Sequence, residues 1–281
     1  MQKRNLLLTT LIKPNIETVV VQLTTKCPYR CTQCYMQCGD QEMPLALAKR
    51  VVDNATAFGA KAIQLTGGEP LIHEGLPDVI KYARQKGLYS VVATSGYNCS
   101  DEIYSKLKVS GLTALCVSLN GISEEINSQS REPYVEAINA IHTAKRLGIS
   151  CFVNVVVTDH NIKELALLGE FVKRKDVIGV NVLRPITSQD GKFIPKVSME
   201  TLEMLEKIVK RDSNYYLVEH CYKEYWERIE RKRFVCQEIG ETTYFVDVNG
   251  FVAPCSNLMR YKYSTVSDML AHSCDWRSGC L

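Results

Sequence analysis

The sequence has no apolar run approaching the ~20 residues that a helix needs to cross a bilayer. No membrane partner is therefore expected. Its nearest imitation of a targeting signal is Met1-Gln2-Lys3-Arg4-Asn5, followed by an apolar stretch from Leu6 to Ile12. That stretch is short, contains two threonines and runs into Lys13-Pro14 without a small-residue cleavage site. The expected location is the cytoplasm. Charge of either sign is nearly balanced, and a formal net charge of +3 is too little to argue for nucleic-acid binding. No internal repeat and no low-complexity segment occurs. Histidine is scarce, and His73, His142, His160, His220 and His272 show no ligand spacing. Each reads as an ordinary surface or core histidine.

What remains is a chain with 46% hydrophobic residues, enough for a core and too many for bulk disorder. Its 281 residues allow one large domain, or a domain with a small appendage. Cysteine is abundant, at twelve residues. In a small secreted domain that count would mean disulfides. In a cytosolic chain of this size, clustered cysteines more often bind metal or do redox chemistry. Cys27, Cys31, Cys34 and Cys38 form one group, and Cys236, Cys255, Cys274 and Cys280 another. Cys99, Cys116, Cys151 and Cys221 are scattered. Two dense groups around a cysteine-poor middle suggest two metal centres.

The first group sits in Cys27-Pro28-Tyr29-Arg30-Cys31-Thr32-Gln33-Cys34-Tyr35, a CX3CX2C spacing just past a strand-like run of valines. Thiolates so spaced can wrap one face of a [4Fe–4S] cube. Three ligands for four irons leave one iron open to a small molecule, as a catalytic metal site keeps an open position. Three buried thiols, or a zinc knuckle completed by Cys38, are the alternatives.

Along the first two-thirds of the chain, short β-rich runs alternate with helix-like stretches. Strands are expected at 18–23, 62–66, 89–94, 114–119, 151–157 and 177–183, and helices near 45–58, 76–85, 101–110, 135–147 and 162–173. Pro44 suits a first helical position, and Asn161 with Glu164 resembles a capping box. Gly59, Gly87, Gly111 and Gly148 stand where helices would stop. Six β-α repeats imply a parallel sheet with right-handed crossovers, either open or closed into a barrel. From 198 to 233 the composition shifts. Leu202, Leu205, Ile208 and Val209 have helical spacing, continued by Tyr222, Tyr225, Trp226 and Ile229. The charged run at 227–233 reads as a solvated helix face. Three segments follow: a core at 1–197, a helical bridge at 198–233 and a last module at 234–281. In that module Tyr244-Phe245-Val246-Asp247-Val248-Asn249-Gly250-Phe251-Val252-Ala253 alternates on both sides of Asn-Gly, a hairpin signal. Its four cysteines also suit a structural zinc ribbon.

The CX3CX2C loop resembles that of the radical S-adenosylmethionine (SAM) enzymes. The resemblance implies that Cys27, Cys31 and Cys34 hold the cluster and that SAM chelates the open iron through its amino and carboxylate groups. One electron would then cleave SAM to methionine and a 5′-deoxyadenosyl radical that abstracts hydrogen from a substrate. The family usually has an aromatic residue or histidine just before the third cysteine, near the adenine. Here that residue is Gln33, and Tyr35, just after the cysteine, is carried as the cofactor-binding aromatic. The resemblance also favours a partial (β/α)6 TIM-like barrel with its chemistry at the strand C-terminal ends. The CX13GX4C pattern from Cys236 through Gly250 to Cys255 matches the opening of SPASM/Twitch modules. It implies a second, auxiliary [4Fe–4S] cluster on Cys236, Cys255, Cys274 and Cys280. With four cysteines the module looks like the shorter Twitch type.

Thr66-Gly67-Gly68-Glu69-Pro70 closes the second strand. Two glycines let the backbone approach a ligand, and a carbonyl and a carboxylate can accept from an amino group. The segment matches the family's motif for the SAM amino group, so Gly67, Gly68 and Glu69 are candidates. The resemblance places Ser118 near the ribose or carboxylate, Arg131 near the carboxylate, and Asn154 at the ribose. Arg suits a carboxylate by its planar fork. Arg184, ending strand six, would point to the same mouth. Cys221 reads as a buried thiol by default, with hydrogen-atom donation as the other reading.

The function these features imply is a radical SAM oxidoreductase. Maturation of a ribosomal peptide by crosslinking or epimerisation is preferred. Dehydrogenation of a small alcohol such as an aminocyclitol is the alternative, and a non-enzymatic iron–sulfur or zinc protein the second. An electron donor such as flavodoxin or ferredoxin is implied. The short stretch before the first strand leaves no room for a leader-binding domain, so a separate leader-peptide-binding protein is a further partner.

Overall fold

The computed structural model describes residues 16–183, 185–186, 197–217 and 242–273. Its first strand, β1 (Thr18–Thr24), is rich in valine, alternates in burial over Thr18 to Val21 and is buried throughout from Val21 to Thr24. Then come α1 (Leu45–Ala57), β2 (Ala62–Gly67), α2 (Leu76–Gln85), β3 (Tyr89–Thr94), α3 (Asp101–Ser110) and β4 (Ala114–Ser118). A short helix α4 (Glu124–Ser128) precedes α5 (Val135–Leu147), β5 (Ser150–Val156), α6 (Ile162–Arg174) and β6 (Gly179–Leu183). After these lie α7 (Met199–Arg211), β7 (Tyr215–Leu217), β8 (Thr243–Val246), β9 (Val252–Ala253) and α8 (Val266–Ala271).

The strands form one sheet in the order β7-β6-β5-β4-β3-β2-β1-β8-β9. Every pairing is parallel except that of β8 with β9. Period-two burial sorts the two faces. Val19, Val21, Ile63, Leu65, Val92, Leu115, Val117, Val153, Val155, Val180 and Val182 are buried in the main core, shared with Val51, Val52, Val79, Ile80 and Ile141 of the helices. The alternate residues make the inner face. There Ser118 pairs with Asn154, Asn154 with Asn181, and Asn181 with Tyr216, a polar row near the strand C-terminal ends.

Local signals explain most boundaries. Ser100 caps α3 by accepting from the Ile103 amide, and Gly111 ends that helix at φ 101. Gly148 ends α5 in the same left-handed conformation. Three expectations are corrected. Pro44 is the residue before the first turn rather than within it. Asn161 makes no cap hydrogen bond to α6; its side chain donates to the carbonyls of Asn120 and Val156 instead. Glu164 accepts from Ile122 and Ser123, so no capping box forms. The helical reading from 198 holds through α7, but β7 then joins the sheet.

The Asn-Gly hairpin is present with a longer loop than the dipeptide alone suggests. Asp247 Oδ1 accepts from the amides of Asn249 and Phe251, and Gly250 takes φ 88. The hairpin docks through β8 onto β1, with Val20 opposite Phe245. Phe245, Ala253 and Met36 form a small apolar cluster flanked by Val20, Cys34, Tyr35 and Met259. Phe245→Ala should therefore cost about 3–5 kcal/mol of stability, read by chemical denaturation. A loss below about 1 kcal/mol would mean that the hairpin does not rest on this cluster.

Candidate functional site

The cysteine loop leaves the end of β1 and returns beside it. Its neck is closed by the Thr25 amide donating to the Gln41 carbonyl (2.9 Å), the Met43 amide to the Leu23 carbonyl (2.8 Å), and the Thr24 hydroxyl to the Gln41 carbonyl (3.0 Å). Lys26 and Glu42 pair across it at 2.7 Å. Within the loop Cys27, Cys31 and Cys34 are half-buried and Cys38 is exposed, none of them in a disulfide. The Cys34 amide donates to the Cys31 carbonyl at 3.0 Å, and the Arg30 guanidinium donates to the carbonyls of Cys27 and Tyr29.

Burial pushes the Cys27 thiol up to about 12, and nearby Cys38, Glu69 and Cys31 add to the shift. Burial also raises Cys34, opposed by the Met36 carbonyl contact and by the Arg131 charge. These thiols stay protonated until a metal stabilises the thiolates. Among the described residues, no three His, Cys, Asp or Glu side chains converge to hold a single ion. Ligands of an iron–sulfur cube each take a different corner and need no common point.

The end of β2 packs on the loop neck. The Gly68 amide donates to the Thr24 carbonyl (2.7 Å) and the Glu69 amide to the Lys26 carbonyl (2.8 Å). A Cβ on Gly67 would lie 2.5 Å from the Thr24 oxygen, and one on Gly68 2.2 Å from the Lys26 oxygen. The close approach that these glycines allow is thus to the chain's own backbone. Glu69 is fully buried. Its Oε1 accepts from the Thr94 hydroxyl (2.7 Å) and the Leu71 amide (3.1 Å), and its Oε2 from the Ser95 amide (2.8 Å) and hydroxyl. Burial raises this carboxyl above its ordinary value, with the Ser95, Thr94 and Leu71 donors opposing.

A second loop, 119–132, leaves β4 and faces the cysteine loop. Arg131 is anchored by its backbone to Asn127, its amide donating to the Asn127 carbonyl and its carbonyl accepting from Asn127 Nδ2. Its side-chain Nε is buried and has no partner among the described residues. Across the gap, the Arg30 amide donates to Glu132 Oε2 at 3.0 Å, and Asn120 Nδ2 donates to Gln33 Oε1 at 2.7 Å. A loop of three undisulfided thiols, with a buried orphan guanidinium donor beside it, fits an iron–sulfur cluster carrying a carboxylate ligand.

Ser118 and Asn154 meet in register on the inner face, and Asn154 Oδ1 accepts from Asn181 Nδ2 at 2.9 Å. Tyr35 packs against the hairpin cluster. A cavity of about 500 Å³ opens there, lined by Gln22, Met36, Ile186, Asp247 and Arg260 among others. Cys255 is half-buried before a short 3-10 turn. Arg184, Cys221, Cys236, Cys274 and Cys280 lie outside the described residues. Asn120, Gln33, Asn127 and Asn181 were not foreseen as site residues. Gln33 stands beside the third cysteine, Asn120 just past β4, Asn127 in α4 and Asn181 within β6, and polarity is the sequence signal they share.

Comparison with known proteins follows from this geometry. The Radical SAM superfamily profile matches residues 21–172. Fe-coproporphyrin III synthase of Methanosarcina barkeri is 30% identical over 57% of this chain and 41% of its own length. A protein of Sulfolobus acidocaldarius described as a probable GTP 3',8-cyclase is 26% identical over 67% of this chain and 63% of its own. The chain therefore spans less than two-thirds of these relatives. SuiB of Streptococcus suis, solved bound to precursor peptide SuiA, superposes with a TM-score of 0.74 at 16% identity, over 92% of this chain and 64% of that one. The same protein bound to S-adenosylmethionine gives 0.75. At such identity the likeness shows a shared fold.

If Glu69 is the brace of this corner, Glu69→Gln should destabilise the metal-free protein by about 1–3 kcal/mol, because a carboxamide nitrogen would face the Ser95 amide. Thermal and denaturant unfolding would measure it. Wild-type stability would show that the carboxylate does not hold the corner.

Proposed function

Because the chain belongs to the radical SAM superfamily, we propose that Cys27, Cys31 and Cys34 hold a [4Fe–4S] cluster whose open iron binds SAM, for C–H chemistry on a peptide. The observation that carries this reading is the buried, unpartnered Nε of Arg131 beside the cysteine loop. A SAM carboxylate would supply the acceptor that it lacks. When bound, the cluster and SAM supply a 5′-deoxyadenosyl radical able to take hydrogen from a substrate C–H.

The chain's own part is to bind, orient and exclude water. Arg131 takes the carboxylate. The turn of Gly67, Gly68 and Glu69 meets the amino group, with the Glu69 carboxylate already spent on bracing that turn. Ser118 and Asn154 offer polar groups to the ribose from one level of the inner face, and Tyr35 and Arg184 are further proposed cofactor contacts. The parallel sheet agrees with a (β/α) domain of this superfamily.

The division into a core at 1–197, a bridge at 198–233 and a Twitch-type module at 234–281 belongs to the same reading. So does an auxiliary [4Fe–4S] cluster on Cys236, Cys255, Cys274 and Cys280. Docking of β8 on β1 supports a module close to the main site. Cys221 is by default a buried structural thiol, with hydrogen donation as its other reading. Flavodoxin or ferredoxin would bring the electron, and a separate protein would present the leader peptide.

Peptide maturation by crosslinking or epimerisation is supported by the shared fold of SuiB, which was solved with a precursor peptide. A small-molecule substrate is the second reading. It is favoured by sequence relatives whose names point to a porphyrin and a nucleotide.

Replacing Cys27, Cys31 and Cys34 together with Ala should abolish 5′-deoxyadenosine formation and leave one auxiliary cluster, assayed as iron, sulfide and electron paramagnetic resonance (EPR). Continued SAM cleavage would refute the assignment, and zinc without iron would favour the ribbon. Separately, Arg131→Ala should weaken SAM binding by about 2–5 kcal/mol, with partial rescue by Lys. Unchanged affinity would remove Arg131 from the site.

A further inference from the structure

Gln33 directly precedes the third cluster cysteine, and Ser130 directly precedes Arg131. They are joined directly, by the Gln33 amide donating to the Ser130 carbonyl at 3.4 Å, and also through one side-chain amide nitrogen. Asn120 Nδ2 donates to Gln33 Oε1 and to Ser130 Oγ, each at 2.7 Å. Both of its N–H bonds are thereby used.

Asn120 is itself held from three further directions. Its Oδ1 accepts from the Val156 amide at the end of β5 (3.0 Å), its own amide donates to Asn127 Oδ1 (2.8 Å), and its carbonyl accepts from Asn161 Nδ2 (2.9 Å). The Val156 bond fixes which end of the carboxamide faces the cysteine loop, because only the oxygen can accept it. Asn120 is 2% exposed and Gln33 is 7% exposed, so water does not compete strongly for these bonds.

We infer that Asn120 is a positioning residue that holds the Cys34 thiolate and the Arg131 guanidinium in one rigid unit through Gln33 and Ser130. The inference rests on the assignment of Cys34 to the cluster and Arg131 to the SAM carboxylate. A cluster iron and a carboxylate bound to it must keep a fixed separation from the group that pairs with that carboxylate. Small errors there misalign SAM without unfolding the protein. Gln33, which stands where the family usually carries an aromatic residue or histidine, thus faces the protein rather than the adenine. Leu at 33 keeps the volume and removes the acceptor. Ala at 130 removes the hydroxyl, and Thr restores it.

The test uses the full chain with Gln33→Leu, Ser130→Ala, Ser130→Thr and Asn120→Leu. In the metal-free protein, Gln33→Leu should speed amide hydrogen exchange at Gln33 and also at Arg131, across the gap. In the reconstituted protein it should leave iron and sulfide at wild-type levels and raise the SAM dissociation constant about 10–100-fold. The SAM-induced change in the EPR spectrum of the reduced cluster should be lost. Ser130→Ala should behave alike, and Ser130→Thr should restore both readouts. Unaltered exchange at Arg131 in Gln33→Leu, or wild-type SAM affinity with a wild-type EPR response, would overturn the inference. If Asn120→Leu fails to fold, the variants at 33 and 130 decide. A wild-type chain that takes up no cluster or does not bind SAM would sink the functional reading alone, because the exchange measurement needs neither.

Discussion

The contact between the end of β2 and the neck of the cysteine loop leaves no room for a side chain. A Cβ on Gly68 would stand 2.2 Å from a backbone oxygen, and the amides of Gly68 and Glu69 are spent on carbonyls of Thr24 and Lys26. Two strand ends thus share one corner, from which the cysteine loop departs in a fixed direction. Glu69 extends the corner to Thr94 and Ser95 at the end of β3. Burying a carboxylate is costly, and donors from Leu71, Thr94 and Ser95 offset that cost. An apolar residue of equal volume would avoid the cost and leave those donors unsatisfied.

Opposite this corner the chain uses carboxamides. Asn120, Asn127 and Asn161 bond one another's backbone or side chains and tie the ends of β4 and β5 to the loop that carries Arg131. Networks of this kind rigidify when every member is satisfied. Arg131 Nε, by contrast, is buried with no partner among the described residues. The site therefore has two braced walls and one unmet donor between them. That arrangement suits the capture of an anionic ligand in a fixed pose.

The hairpin supplies a third wall from far along the chain. Gln22, on the inner side of β1, accepts from the Val248 amide at 3.3 Å, and Phe245 packs beneath Met36 of the cysteine loop. Asp247 both shapes the hairpin turn and pairs with Lys262 at 3.1 Å. Rigidity of the loop around Cys34 is thus shared between the strands before it and residues that follow it by more than two hundred positions.

The order of strands and helices was written in the sequence because hydrophobic periodicity is local. The bounds of α2, α3 and α5 follow from apolar spacing and from glycines at the helix ends. The CX3CX2C spacing likewise marked the loop, since the spacing of residues along a chain is a one-dimensional property. Tertiary structure alone decided that Asn161 and Glu164 spend their side chains away from their own helix. It alone paired β8 with β1 and turned Gly67 and Gly68 against backbone. The same is true of the Asn120–Gln33 bond, which joins residues 87 positions apart. Each of these depends on which groups meet through space once the sheet has formed. A buried polar atom takes whichever partner lies within reach, and spacing along the chain carries no record of that partner.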